Sequence, residues 1–144
     1  MGREVKMKDG IMAIQKIATE ILKKNGINPD AGEFYLKLSK PNFDDMVIER
    51  CGDDVFVGHY FNQNGDRVPD PVLVMDYSGG YWYPVRIEQI LGETPVSFTE
   101  NGKRMVYPAR VKEFKSFQAM FAKNIKDQGW INVEPEKKED TEAV

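Results

Sequence analysis

Apolar and polar positions alternate with a period of two through Asp54–Tyr77, DVFVGHYFNQNGDRVPDPVLVMDY, and the alternation is interrupted by Asn64-Gly65. This dipeptide tolerates the two positive φ values that a type I′ turn demands, so the stretch predicts a β-hairpin. With Asn64 and Gly65 as the loop, Gln63 faces Asp66, Phe61 faces Val68, His59 faces Asp70, Val57 faces Val72 and Val55 faces Val74. A slip of one residue would send these valines to the other side of the pleat. Pro69 and Pro71 then stand opposite Tyr60 and Gly58 at non-hydrogen-bonded positions, their missing N–H groups directed outward. That half of the second strand is expected at a sheet edge or beside a loop.

The pattern elsewhere changes period twice. Over Gly10–Asn25 the apolar residues Ile11, Ile14, Ile17, Ala18, Ile21 and Leu22 recur at helical spacing. Asp9 suits the N-cap of this amphipathic helix and Gly26 its C′ position. Phe34–Leu38 and Met46–Cys51 read as strands, and a Gly-first turn at Gly52-Asp53 would set Ile48 against Val57. After Ser78-Gly79-Gly80 the chain returns through Tyr81–Ile87. Plain two-residue turns at both ends would require Val74 to hydrogen-bond to both neighbouring strands at once, so a bulge or a three-residue loop is expected near Gly79-Gly80. Asn101-Gly102 joins Pro95–Glu100 to Lys103–Pro108, with Phe98 against Met105, Val96 against Tyr107, and Ser97, Thr99 and Arg104 toward water. Phe114, Phe117, Met120, Phe121 and Ile125 return to helical spacing, with Ser116 a candidate N-cap and Gly129 the stop. The expected fold is a single α+β domain over 1–131: an antiparallel meander of about six or seven strands with an N-terminal and a C-terminal helix packed on one face.

Composition narrows the function classes. The 144 residues include eight Phe, six Tyr and two Trp, enough for one substantial core. The net charge of −3 comes from the end of the chain, where residues 131–144 hold two lysines and five acids; the rest balances at eighteen of each sign. The acidic stretch 132–144 is expected to be disordered. A neutral body offers no bulk attraction to phosphate backbones, which disfavours nucleic acid as a partner. The single Cys51 cannot close an internal disulfide, and no Cys/His spacing suggests zinc, so a cytosolic setting is expected. No run of eighteen apolar residues is present to span a membrane, and the first twelve residues lack the apolar region of a secretion signal.

Candidate chemistry is sparse. His59, Asp66 and Asp70 are the one constellation with metal-like residue types, since a hard cation held by carboxylates with one imidazole is conceivable across such a hairpin. The simpler reading is a half-buried histidine held by Asp70, with Asp66 chosen for the turn. Tyr81, Trp82, Tyr83, Arg86 and Arg104 form a second candidate, a stacking surface for a ring, a base or a partner protein, although alternation puts Trp82 on the opposite face from the tyrosines. GxGxxG, Walker A and GxSxG patterns are lacking, so no cofactor is expected. Cys51 lies at the far end of a strand from the one histidine, which disfavours a Cys-His nucleophile.

The run H-Y-F-N-Q-N-G-D-R-V-P-D-P resembles a small uncharacterised family of bacterial and archaeal proteins often associated with phages, plasmids and integrated elements. The matching residues are His59, Tyr60, Gln63, Asn64, Gly65, Asp66, Asp70 and Pro71, with Gln128-Gly129 near the end of the last helix. The likeness spans roughly residues 34–130. It implies a mobile-element accessory protein and supplies no catalytic residue. The sequence therefore favours a non-enzymatic cytosolic binding protein that engages another protein or a second copy of itself. The alternatives are a metal-assisted hydrolase or nuclease using His59, Asp66 and Asp70, and a single-stranded nucleic-acid binder using the aromatic strand.

Overall fold

The computed structural model describes residues 3–4 and 10–135. The first helix, α1 (Ala13–Lys24), follows a two-residue strand β1 (Arg3–Glu4). Six strands come next: β2 (Phe34–Leu38), β3 (Asp45–Cys51), β4 (Asp54–Gln63), β5 (Asp66–Ser78), β6 (Tyr81–Gln89) and β7 (Gly92–Pro95). Each pairs antiparallel with its neighbour in sequence, so the main sheet is the expected meander. The hairpin β8 (Ser97–Glu100) and β9 (Lys103–Val106) joins β1 in a separate three-stranded sheet. Helix α2 (Pro108–Asp127) and a 3-10 turn at Trp130–Asn132 complete the α+β fold.

Both helices cover one face of the main sheet. Ile14, Ile17, Ile21 and Leu22 of α1 and Phe114, Phe121 and Ile125 of α2 share one apolar cluster with Leu36, Ile48, Val57, Leu73 and Trp82. Burial of such side chains contributes about 1.5–3 kcal/mol each. Helix α1 begins at Ala13 rather than Gly10, and Asp9, the expected N-cap, lies outside the described residues. Its first turn is capped from a distance: the Ile14 N–H donates to Gln118 Oε1 of α2 at 2.8 Å. Gln15 Oε1 accepts the Trp82 N–H at 2.9 Å, and its Nε2 donates to the Gly80 carbonyl at 2.8 Å. These two glutamines are buried, and each gives a buried backbone amide its acceptor. At the other end Gly26 has φ 78°, its N–H bonds Lys23 O, and the Ile27 N–H bonds Leu22 O, a complete Schellman stop.

The turns follow their residues. Asn64-Gly65 and Asn101-Gly102 have positive φ at both positions, and Gly52 is the positive-φ first residue of its loop. Ile48 faces Val57 and Phe98 faces Met105. The long hairpin keeps the expected register only from Gln63↔Asp66 to Tyr60↔Pro69. Beyond it Gly58 pairs with Val72, Val57 with Leu73 and Val55 with Met75, so His59↔Asp70, Val57↔Val72 and Val55↔Val74 are not pairs. A bulge sets His59 against two residues, Asp70 and Pro71. It resolves the hydrogen-bond conflict at Val74 here, and not near Gly79-Gly80, where the sequence led to the expectation of a bulge or a three-residue loop. Once β5 has slipped by one, Leu73 and Met75 bond to β4 while Val72, Val74 and Asp76 turn to β6. The Gly79-Gly80 turn is then free to be a plain two-residue loop, with Ser78 facing Tyr81 and both glycines at positive φ. A second bulge sits within β6, where Val74↔Arg86 is followed by Met75↔Pro84.

Within β5 only Val72–Ser78 pairs with β6, so Asp66–Pro71 has β4 on one side and an open edge on the other, as the two prolines imply. The β8–β9 hairpin differs from expectation in its faces. Ser97 is buried, its hydroxyl donating to the Pro84 carbonyl, and Arg104 reaches Asp76; Phe98 is left partly exposed. Its polar side is satisfied by groups on β5 and β6, which decides which face turns inward. Ser116 lies inside α2, whose N1 residue is Pro108. Val133 packs against the core; residues 136–144 of the expected disordered tail lie outside the described residues.

Candidate functional site

The bulge builds one wall of a cleft. On β4, Val55, Val57 and His59 point toward the helices, with Gly58 between them on the other face. A Cβ at Gly58 would lie 2.2 Å from the Pro71 carbonyl oxygen and 2.5 Å from Val72 Cα, so this position needs a residue without a side chain. The close approach lets β5 carry its extra residue and directs Asp70 and Pro71 beside His59. The second wall is the outer stripe of α2, Phe117, Met120, Phe121, Asn124 and Gln128, and the third is the β2–β3 loop, Asn42, Phe43 and Asp44. Together they enclose about 410 Å³, within the usual range for a ligand-sized cleft.

His59 Nδ1–H donates to the Asp44 carbonyl at 3.1 Å. The carbonyl can only accept, which fixes the tautomer and leaves Nε2 as a lone-pair acceptor. The ring stands edge-on to Phe121 at 5.7 Å and tilted against Trp130 at 5.5 Å. Burial lowers its pKa from the ordinary value, against the opposing pull of the Asp44 and Asp45 backbone and the Asp44 charge. Nε2 has no hydrogen-bond partner among the described residues, and no buried side-chain nitrogen or oxygen there goes unpaired, so this atom reaches solvent. Trp130 is held in turn by its Nε1–H to Gln128 Oε1 at 2.9 Å, with Phe43 packed edge-on at 5.8 Å.

Of the three polar residues singled out from sequence, His59 and Asp70 line this cleft, with no hydrogen bond between them. The Asp70 carboxylate instead accepts the Ile90 N–H at a long 3.4 Å. Asp66 sits at the hairpin turn facing Gln63 and does not line the cleft. Among the described residues no group of three His, Cys, Asp or Glu side chains is placed to hold a metal. Cys51 closes β3 at the end remote from His59, which pairs with Met46.

The aromatic and arginine surface divides between the two faces. Trp82 is 1% exposed, within the core under α1. Tyr83 is buried on the other side, 6.1 Å from Tyr81 and beneath the Arg104 guanidinium at 4.7 Å. Arg104 also bonds Ser97 Oγ at 3.2 Å, and Arg86 is held by Glu88 at 2.8 Å and Glu93 at 3.6 Å. Both guanidinium groups therefore have acidic partners, Asp76 in the case of Arg104.

Residues 16–131 match a family described as a domain of unknown function, DUF6908. The chain belongs to that family. The matched span takes in most of α1 as well as the sheet and α2, so it contains every wall of the cleft. Neither a search of curated proteins nor one of solved structures returned a match. No helix among the described residues is long and apolar enough to cross a membrane.

The cleft residues Phe43, Phe117, Met120 and Asn124 carry no motif that sequence could reveal as a site. One signal was present: the apolar stripe of α2 runs wider than a single sheet face can bury. Phe114 and Phe121 fill the core side, while Met120 remains 52% exposed.

Proposed function

We propose that this protein is a non-catalytic binding module, an accessory factor of the cytosol, that engages a partner protein through the His59 cleft and its apolar rim. The observation that carries this reading is the exposure of Phe43 (40%) and Met120 (52%) on opposite lips of a cleft whose floor holds polar acceptors. Large apolar side chains flanking a recess are the usual composition of a protein-docking site, where anchors enter pockets and the rim excludes water. The polar groups of the floor give orientation rather than a reaction, since no nucleophile stands with His59, Asp44 and Asp70 in the cleft lining.

The test is a photo-crosslinker placed at Met120 in the full chain, with a second placed at Lys103 on the β8–β9 turn as control. The reading expects a discrete adduct at position 120 that excess wild-type protein competes away and excess Met120→Glu protein does not. Equal labelling from both positions, or labelling that both competitors suppress equally, would refute it.

A further inference from the structure

The charge of the cleft specifies what should enter it. Its lining holds two carboxylates, Asp44 and Asp70, and the lone pair of His59 Nε2, while no lysine or arginine among the described residues lines it. Neither carboxylate has an ion-pair partner among the described residues. Asp70 accepts only the long bond from Ile90 N–H. Lys40, on the same loop as Phe43, is drawn over the Phe43 and Trp130 rings, with Nζ 4.9 and 5.6 Å from their centroids. Neighbouring hydrogen bonds also remove competing donors: the His59 Nδ1 proton is committed to Asp44 O, and the Trp130 indole proton to Gln128 Oε1.

The opposite wall is apolar. Phe117, Met120 and Phe121 line α2's side, and Phe43 presents an aromatic ring at the mouth. An anion would meet two carboxylates. A wholly apolar group would strip water from both without replacing it, which is strongly unfavourable for an uncompensated charge. A cation on a methylene stem satisfies both walls, its charge toward the acids and its stem along the rings.

We infer that the cleft receives a lysine or arginine side chain presented by the partner protein, with Asp44 and Asp70 as its counter-charges, His59 Nε2 as a further acceptor, and Phe43, Phe117 and Met120 against its stem. This rests on the protein-docking reading above and gives the chemistry of the anchor.

The test is an NMR titration of the isotopically labelled full chain with n-butylguanidinium and n-butylammonium at low salt, with neutral n-butylurea as the isosteric control. Saturable shifts are expected at His59, Asp70 and Met120 for one or both cations, with at least tenfold weaker binding of the urea and of either cation to Asp44→Asn/Asp70→Asn. Binding of the urea as tight as that of the cations, or no saturable shift from either cation, would overturn the inference. Should the double variant fold poorly, the urea comparison on the wild-type chain decides alone. The two proposals fail separately. A crosslink at Met120 that persists in Asp44→Asn/Asp70→Asn, with no cation binding to the wild type, would sink the cationic anchor and leave the docking surface standing.

Discussion

Gly58→Ala tests the link between the β4–β5 bulge and the cleft. The new methyl would lie 2.2 Å from Pro71 O, 2.5 Å from Val72 Cα and 2.9 Å from Val72 Cγ2. Two of these three atoms are backbone, so relief requires the strands to part by more than 1 Å, judged against ordinary contact at about 3.4–4 Å. Overpacking of this kind costs about 1–3 kcal/mol, and a clash with backbone in a central strand pair belongs at the top of that range. Opposing it, Gly→Ala at an unstrained φ restricts the unfolded chain and gains about 0.4–1 kcal/mol. The net expectation is a loss of about 2–3 kcal/mol, or roughly 5–10 °C in Tm for a chain of this size. Urea unfolding followed by far-ultraviolet circular dichroism measures it. Gly58→Ala/Val72→Ala should not restore stability, since it removes only the Cγ2 contact, leaves the two backbone contacts and truncates a buried valine. A Gly58→Ala protein within about 0.5 kcal/mol of the parent, the ordinary scatter of harmless substitutions, would show that the backbones do not approach in this way.

Three further outcomes follow from the packing. Burial holds the His59 pKa below its unfolded value of 6.5, so its contribution to stability is present above that pH and falls as pH drops through the folded pKa. Stability measured across this window should decline less in His59→Gln, and an NMR titration placing the His59 pKa above 6.5 would contradict the structure. Trp82→Ala should cost about 3–5 kcal/mol in denaturant unfolding, because the ring is core; a folded variant of unchanged stability would return Trp82 to the surface. Gln118→Leu leaves the buried Ile14 N–H without its acceptor and should cost about 1–3 kcal/mol, with a change below the scatter of the measurement arguing against the cap.

Local chemistry made much of the fold legible. Asn64-Gly65 and Asn101-Gly102 specify their turns through positive φ, and Gly52 specifies the next, so the Ile48–Val57 and Phe98–Met105 pairs follow from counting outward. Counting fails where a strand gains a residue. The demand that Val74 bond in two directions shows that a residue must be spare, but it does not say where, and the expectation near Gly79-Gly80 misplaced it. Gly58 and the Asp70-Pro71 pair mark where, because only there can backbones close without a Cβ and without an N–H to satisfy. The cleft was half legible. His59 and Asp70 were within reach of hairpin reasoning, whereas Phe43 and the α2 stripe come from segments whose approach depends on how the helices lie across the sheet. Buried Ser97 and Arg104 reversed the expected faces of the last hairpin because their partners, Pro84 and Asp76, are on other strands.

The reach of Gln118 to Ile14, across 104 residues, bears on how the protein is born. On the ribosome α1 emerges long before the acceptor for its opening amide has been made. The meander can assemble strand by strand as it leaves the tunnel, but its inward face stays bare of α2 until the C-terminal helix is free. Ribosome-bound chains released only as far as Tyr107 should therefore be cut by protease within α1, and chains extended past Trp130 should resist. For this protein, the helix that finishes the core is the one that finishes the cleft.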